Sequence, residues 1–200
     1  MAIDQAPVKN ENIDAKIEIS AHHEAGHAVI AAVLGRRLRS EGIMIGKDAE
    51  GLSCYCKQPD GSDESLEATI LTTFAGCYAE NHFRESQGYR LLSYYDILRS
   101  LDWFEARQLH GGFSEKYRAE RTFEEVQKEL EQRSQQLVAL RWPSIDALTR
   151  TLLAKDWEPI TPLKSGGEWS KAQEVKRLGG YEVVAELKRV GIDAMCVEEC

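Results

Sequence analysis

The sequence lacks the features that point to a membrane or a nucleic acid. Its longest apolar run, Ala28 to Leu34, is far shorter than the roughly 20 residues that span a bilayer. The polar start lacks the apolar segment of a secretory signal. The net charge is -8, whereas a surface that binds phosphates needs a basic excess. We therefore expect neither a membrane nor a nucleic acid as a partner.

Cysteine is scarce and scattered. Five cysteines without a CxxC pair do not predict a disulfide framework, so we expect a reducing, cytoplasmic location. Cys54 and Cys56 alternate along a probable strand and could be packed thiols. The others are Cys77, Cys196 and Cys200.

The patterning predicts a mainly α fold with one small sheet. Short β-prone runs at 43–45 and 52–56 flank a longer turn and predict a hairpin. Pro143 should end one helix, with Ser144 capping the next. Helical periodicity predicts helices over 20–35, 65–83 and 93–110, the first of them capped by Ser20. A further helix should begin at the capping box of Thr122 and Glu125.

The domain organisation follows from these patterns. Two hundred residues suffice for one sizeable domain with a small appendage. We expect a flexible leader over 1–14, a main domain over 15–160 and a tail over 161–200. Prolines and glycines mark the linker, and the tail contains short helical patterns at about 169–178 and 181–190.

The segment HEAGH at 23–27 carries the clearest chemical signal. Residues four apart share a helix face, so His23 and His27 can converge on one ion. Zinc accepts such nitrogen ligands and lowers the pKa of a bound water. Glu24 follows the first histidine and can accept the proton from that water. The alternative is a histidine pair held by ordinary helix contacts.

Two glycines lie inside predicted helices. Each costs about 1 kcal/mol relative to alanine. Close approach of another element would be a reason for this cost, and the alternative is that each glycine is merely tolerated. We therefore hypothesise that the helices of Gly26 and Gly76 cross near these positions.

Two histidines leave a tetrahedral zinc site short of one protein ligand. Composition and spacing do not choose among the available side chains. The candidates are Glu80, His82, Asp96, Asp102 and His110.

The segments HHEAGHAV, FAGCYAENHF and SYYDILRSLDWFEARQL, in this order, resemble the peptidase domain of the FtsH family, also called M41. The resemblance covers about residues 15–155. In that family a HEAGHA helix supplies two histidine ligands and the general base. An aspartate early in a later helix, in a context such as GASNDIERAT, completes the zinc site.

The resemblance implies a helical zincin-type peptidase domain that binds Zn2+ through His23, His27 and Asp96. It makes Glu24 the general base and Glu80 a supporting residue that orients a histidine. Asp96 also stands three residues after a serine, where the acid of a capping box would stand. Glu80 is the next candidate for the third ligand.

The resemblance also places the hairpin beside the cleft. An extended polypeptide would pair there as an added strand. The residues expected to receive it are Ile43, Met44 and Ile45.

The implied function is that of a zinc metalloendopeptidase acting on unfolded or short polypeptides. FtsH proteins carry a membrane anchor and an ATPase ahead of the peptidase, and neither pattern fits this sequence, so we expect cleavage without ATP. A homo-oligomer and a separate ATPase are further candidate partners. The alternative is a catalytically silent, metal-stabilised interaction module with the same fold, favoured by the bulky SYYD segment before Asp96.

Overall fold

The computed structural model describes residues 9–56, 61–160 and 174–197. This part is mostly helical with one small sheet, as predicted, and none of its helices combines the length and apolar character needed to cross a membrane. The helices are α1 (Ile13–Val33), α2 (Asp63–Gln87), α3 (Tyr94–Leu98), α4 (Leu101–His110), α5 (Glu115–Glu120), α6 (Phe123–Leu153) and α7 (Gly180–Arg189). The strands are β1 (Leu38–Gly46), β2 (Gly51–Tyr55), β3 (Glu158–Pro159), β4 (Glu174–Leu178) and β5 (Cys196–Val197).

Helix α1 begins earlier than predicted. The side chain of Asn12 caps it by accepting a hydrogen bond from the Ala15 N–H at 2.8 Å. Ser20 lies inside the helix, so its prediction as the cap is wrong. Lys9 forms an isolated bridge with Tyr89 of the α2–α3 connection. Residues 9–14 are therefore part of the fold, against the prediction of a flexible leader, and residues 1–8 lie outside the described part.

Helices α1 and α2 cross where their glycines lie. A Cβ on Gly26 would stand 2.6 Å from Ala79 Cβ and 2.8 Å from the Ala75 carbonyl oxygen. Such distances are too short for any side chain, so the α1 backbone rests directly on α2. The hypothesis that the two helices cross near Gly26 and Gly76 is confirmed.

Helix α6 packs against both α1 and α2 and is the longest helix of the described residues. Pro143 lies within it, so the prediction that Pro143 ends a helix is wrong. A proline inside a helix costs about 3 kcal/mol or more. Buried apolar side chains on both sides of the proline, including Val138 and Ile145, offset that cost by holding the two halves on one core. The capping box of Thr122 and Glu125 is confirmed.

The segment predicted as one helix over 93–110 divides into α3 and α4. Ser93 and Asp96 form a capping box at the start of α3. Ser100 then caps α4, accepting a hydrogen bond from the Trp103 N–H at 3.2 Å. The break redirects the chain, so that the first turn of α4 approaches α1.

The sheet has the order β2-β1-β4-β3, with β5 also paired to β1. The hairpin of β1 and β2 is confirmed, but β1 lies inside the sheet and not at its edge. Ile43 pairs with Ser53 on one side and with Leu178 on the other, and Met44 and Ile45 are likewise paired twice. All three are buried. Because both sides of β1 are occupied, the prediction that these residues receive a substrate strand is wrong.

The C-terminal segment belongs to the same sheet. Residues 174–178 were expected to be helical, but they form β4, which pairs antiparallel with β1. The helix predicted at 181–190 is confirmed as α7. Residues 161–173 lie outside the described part. The prediction of a purely helical tail is therefore wrong.

Candidate metal centre

The two imidazoles of the HEAGH segment converge over Gly76. Nδ1 of His23 donates to Glu80 Oε2 at 3.1 Å, and Nδ1 of His27 donates to the Thr72 carbonyl oxygen at 2.8 Å. A Cβ on Gly76 would lie 2.5 Å from Nε2 of His23 and 2.4 Å from Nε2 of His27. Both Nε2 atoms therefore point to one place, and in a neutral imidazole the Nδ1 hydrogen bond would put the proton on Nδ1 and turn the Nε2 lone pair toward that place.

Asp102 completes this arrangement from α4. Its Oδ2 lies 3.1 Å from His23 Nε2, and its Oδ1 lies 3.6 Å from His27 Nε2. It is the second residue of α4, directly after the cap and leucine that begin the helix. Two nitrogens and a carboxylate thus face one another, a donor set that suits zinc.

The prediction of Asp96 as the third ligand is wrong. Its carboxylate accepts hydrogen bonds from the backbone N–H and hydroxyl of Ser93, both at 2.8 Å, and pairs with Arg90 at 3.3 Å. Asp96 is therefore the acid of a capping box. The other candidates also have different surroundings, because His82 packs on Trp142 and His110 packs on aromatic rings of the α4–α6 region.

A signal for Asp102 is present in the sequence. In the family context GASNDIERAT, a serine stands two residues before the aspartate. Ser100 stands two residues before Asp102, whereas Ser93 stands three before Asp96. In a comparison with the resembled family, the spacing between serine and aspartate favours Asp102 over Asp96.

Glu80, which was expected to orient a histidine, is hydrogen-bonded to His23. One carboxylate oxygen accepts from His23, and the other accepts from Arg84 Nε at 2.7 Å. Arg84 also pairs with Glu11, which precedes α1. A chain of charged groups therefore holds the His23 ring from behind.

Glu24 lies beneath the start of β2. Its side chain is buried, and a Cβ on Gly51 would stand only 2.6 Å from its Cγ and Oε1. The hydroxyl of Ser20 donates to the Ala49 carbonyl oxygen at 2.7 Å and ties the β1–β2 turn to α1. Glycine at 51 thus lets the turn close over the carboxylate.

These groups open into one cavity of about 360 Å³. Its walls are the side chains of His23, Glu24 and His27, strand β2 and the first turns of α4. Tyr55 of β2 contributes a buried phenol, whose pKa is raised by burial and by nearby carboxylates. Sequence reasoning did not single out Tyr55, because a tyrosine at the end of a strand carries no distinctive pattern.

The imidazoles and carboxylates of this centre shift the pKa values of one another. Burial alone would lower the pKa of His23, but its hydrogen bonds to Asp102 and Glu80 raise it well above the usual range. Burial opposes ionisation of Asp102, yet the charge on His27 and the hydrogen bond with His23 hold its pKa well below the usual range. The pKa of Glu80 is also lowered against its burial, by His23 and Arg84. Two ionised, sheltered carboxylates therefore surround the imidazoles.

A thiol lies beside this centre. Cys77 is buried, its Sγ is 3.5 Å from Asp102 Oδ2, and burial raises its pKa to about 12. Cys54 and Cys196 are likewise reduced, whereas Cys56 is disulfide-bonded, so the expectation of a thiol at Cys56 is wrong. Sequence reasoning did not select Cys77 as a site residue, because its distance to Asp102 depends on how α4 packs on α2.

Comparison with known proteins assigns no family: no protein-family model matches the chain, and a search of curated proteins found no match.

Proposed function

We propose that the protein is a zinc-dependent metalloendopeptidase that hydrolyses unfolded or short polypeptides. The observation that carries the proposal is the position of Asp102, whose carboxylate oxygens lie 3.1 and 3.6 Å from the Nε2 atoms of His23 and His27. The HEAGH motif alone is local to one helix. A third ligand from a distant helix is the feature expected of a metal centre.

The surroundings of this donor set fit zinc. Nitrogen and carboxylate ligands match its preferences, and three protein ligands leave a position for water, as catalytic sites require. Gly76 makes room for the converging nitrogens, since any larger residue would overlap both rings. Glu80 and the Thr72 carbonyl fix the ring orientations from behind.

The chemistry follows from the roles of the neighbouring side chains. Zinc, when bound, supplies Lewis acidity that polarises a carbonyl and acidifies a water. Glu24 accepts the proton of the attacking water at its carboxylate and passes it to the leaving amine. Its burial beneath Gly51 limits its motion and keeps it at the cavity wall. Asp102, His23 and His27 would hold the ion and would take no proton in this step.

Strand β2 is the site we propose for the substrate. It lies at one end of the sheet order of the described residues, and it lines the cavity. An extended polypeptide can add to such an edge through backbone hydrogen bonds, which are independent of side-chain identity. This mode of binding suits unfolded or short chains. We therefore propose β2 as the strand that pairs with the substrate, in place of β1.

Purified protein provides the test. We expect about one zinc per chain and slow cleavage of an unfolded protein such as casein. Glu24→Gln should abolish cleavage and keep the zinc, whereas His23→Ala should lose both. Cleavage by zinc-loaded Glu24→Gln at the wild-type rate would contradict the mechanism. Zinc without cleavage of any unfolded substrate would instead indicate a silent, metal-stabilised module.

A further inference from the structure

Cys77 lies at the metal centre but has no role in the hydrolysis proposed above. It follows Gly76 on α2, and its side chain is buried between α2 and α4. The Sγ atom points to polar groups of α4, with Ser100 Oγ at 3.8 Å and Asp102 Oδ2 at 3.5 Å. A cysteine that only fills space in a core needs no such partners.

The thiol belongs to a group of three side chains that could hold a metal ion. One ligand atom from each of His23, Cys77 and Asp102 lies within 4.8 Å of the other two. Zinc binds thiolate at about 2.3 Å and nitrogen or carboxylate at about 2.0–2.2 Å, so neighbouring ligands of one tetrahedral ion stand roughly 3.3–3.6 Å apart. The contacts of Asp102 with His23 and Cys77, at 3.1 and 3.5 Å, are already close to that spacing.

We propose that Cys77 is a fourth, reversible protein ligand that closes the zinc site and makes the peptidase latent. When the sulfur–metal bond forms, the thiol proton passes to solvent and the thiolate takes the position that water needs for hydrolysis. When the bond breaks, the thiol regains a proton and donates to Asp102, and the position opens. This inference concerns regulation of the same centre and rests on the proposed function.

Cobalt substitution tests the ligand directly, without any activity measurement. Co2+ in a site of this kind gives d–d bands in the visible, and a bound thiolate adds a sulfur-to-cobalt charge-transfer band in the near ultraviolet. We expect both in the wild-type protein. Cys77→Ser should lose the near-ultraviolet band and keep the visible bands, and Cys77→Ala serves if the serine variant does not fold. Cys196→Ser, a change at a reduced cysteine on β5, should keep both.

The outcomes separate the two proposals. Bound cobalt with visible bands but no near-ultraviolet band would overturn the role of Cys77 and leave the metal centre intact. A near-ultraviolet band that survives in Cys77→Ser and disappears in Cys196→Ser would also overturn it. No bound cobalt at all would overturn the metal centre and this inference together.

Turnover gives a second, independent test of latency. With equal zinc content, Cys77→Ser should cleave casein several-fold faster than the wild type, because a competing ligand has been removed. The gain should lie in kcat, since β2 and the cavity walls are unchanged. Equal or slower turnover in the zinc-loaded variant would overturn the latency.

Discussion

Oδ2 of Asp102 lies 3.1 Å from Nε2 of His23 and joins the first turn of α4 to the middle of α1. Each side chain is only 19% exposed. Without metal, the two groups form an ion pair between an imidazolium and a carboxylate. With metal, the imidazole must lose its proton and the same two atoms become ligands. Protons and metal ions therefore compete for one site.

The two aspartates of the α3–α4 region give a matched test of ligand identity. Asp102→Asn should weaken zinc binding by more than the roughly 10- to 100-fold typical of an outer-shell partner and should abolish cleavage. Asp96→Asn should keep zinc and activity, because the partners of Asp96 are Ser93 of its capping box and Arg90. Zinc titration against a competing chelator measures both. Loss of zinc in Asp96→Asn together with its retention in Asp102→Asn would contradict the assignment of Asp102 as the ligand.

The hydrogen bond between Glu80 and His23 should affect the affinity for zinc more than the stability of the fold. Glu80→Ala removes the acceptor of the His23 Nδ1–H, so zinc affinity should fall by about 10- to 100-fold. Glu85→Ala, an exposed acid on the same helix, is the control and should change nothing. Chelator competition gives the affinity, and circular dichroism checks that both variants fold. Equal affinities in the two variants would argue against a positioning role for Glu80.

A methyl group at residue 51 should disturb the general base. Gly51→Ala places a Cβ 2.6 Å from the Glu24 side chain, so the carboxylate must move. A displacement of about 1 Å can cost roughly 100-fold in rate, and we expect a loss of that order in kcat with zinc retained. Gly179→Ala is the control, because its Cβ would meet nothing closer than 3.5 Å. Wild-type kcat in Gly51→Ala would contradict the placement of Glu24.

The stability of the metal-free protein should fall as pH rises. The pKa of His23 is raised by folding, so its contribution is complete below about pH 6.5 and is lost as pH rises through the folded-state pKa. The pKa of Asp102 is lowered, so its contribution is present above about pH 4 and is lost only in strong acid. Zinc affinity should change in the opposite direction, since ligation requires neutral imidazoles.

Calorimetric melting with and without a chelator measures the direction in which stability changes with pH. Between about pH 6 and pH 9, Tm of the chelated protein should fall, and the stabilisation added by zinc should grow. His23→Asn should flatten the fall in the chelated protein. A chelated wild type whose Tm rises steadily over this range would contradict the assigned pKa directions.

Local sequence patterns predicted the parts of the centre that depend on one helix. His23 and His27 share a face because they are four residues apart, and the two helical glycines predicted the crossing of α1 and α2. Helical periodicity and capping patterns do not choose between Asp96 and Asp102, and only the serine-to-aspartate spacing of the resembled family favours Asp102. Both are acids in the first turn of a helix after a capping serine, and only the packing of α4 on α2 brings one of them to the imidazoles.

The wrong predictions for the sheet have a similar cause. Whether β1 is an edge strand depends on β4, which lies far along the chain and reads locally as helical. Pairing across such a distance leaves no mark on the alternation within either strand. Pro143 was likewise expected to end a helix, because the free-energy cost of a proline inside a helix can be judged from the sequence. The core contacts that offset this cost cannot be judged from the sequence.

The most direct measurement is a crystal structure of the zinc-loaded protein with anomalous data collected at the zinc edge. The account predicts one strong peak over Gly76, within bonding distance of His23 Nε2, His27 Nε2 and a carboxylate oxygen of Asp102. A peak held elsewhere, or imidazoles turned apart with no ion between them, would contradict it.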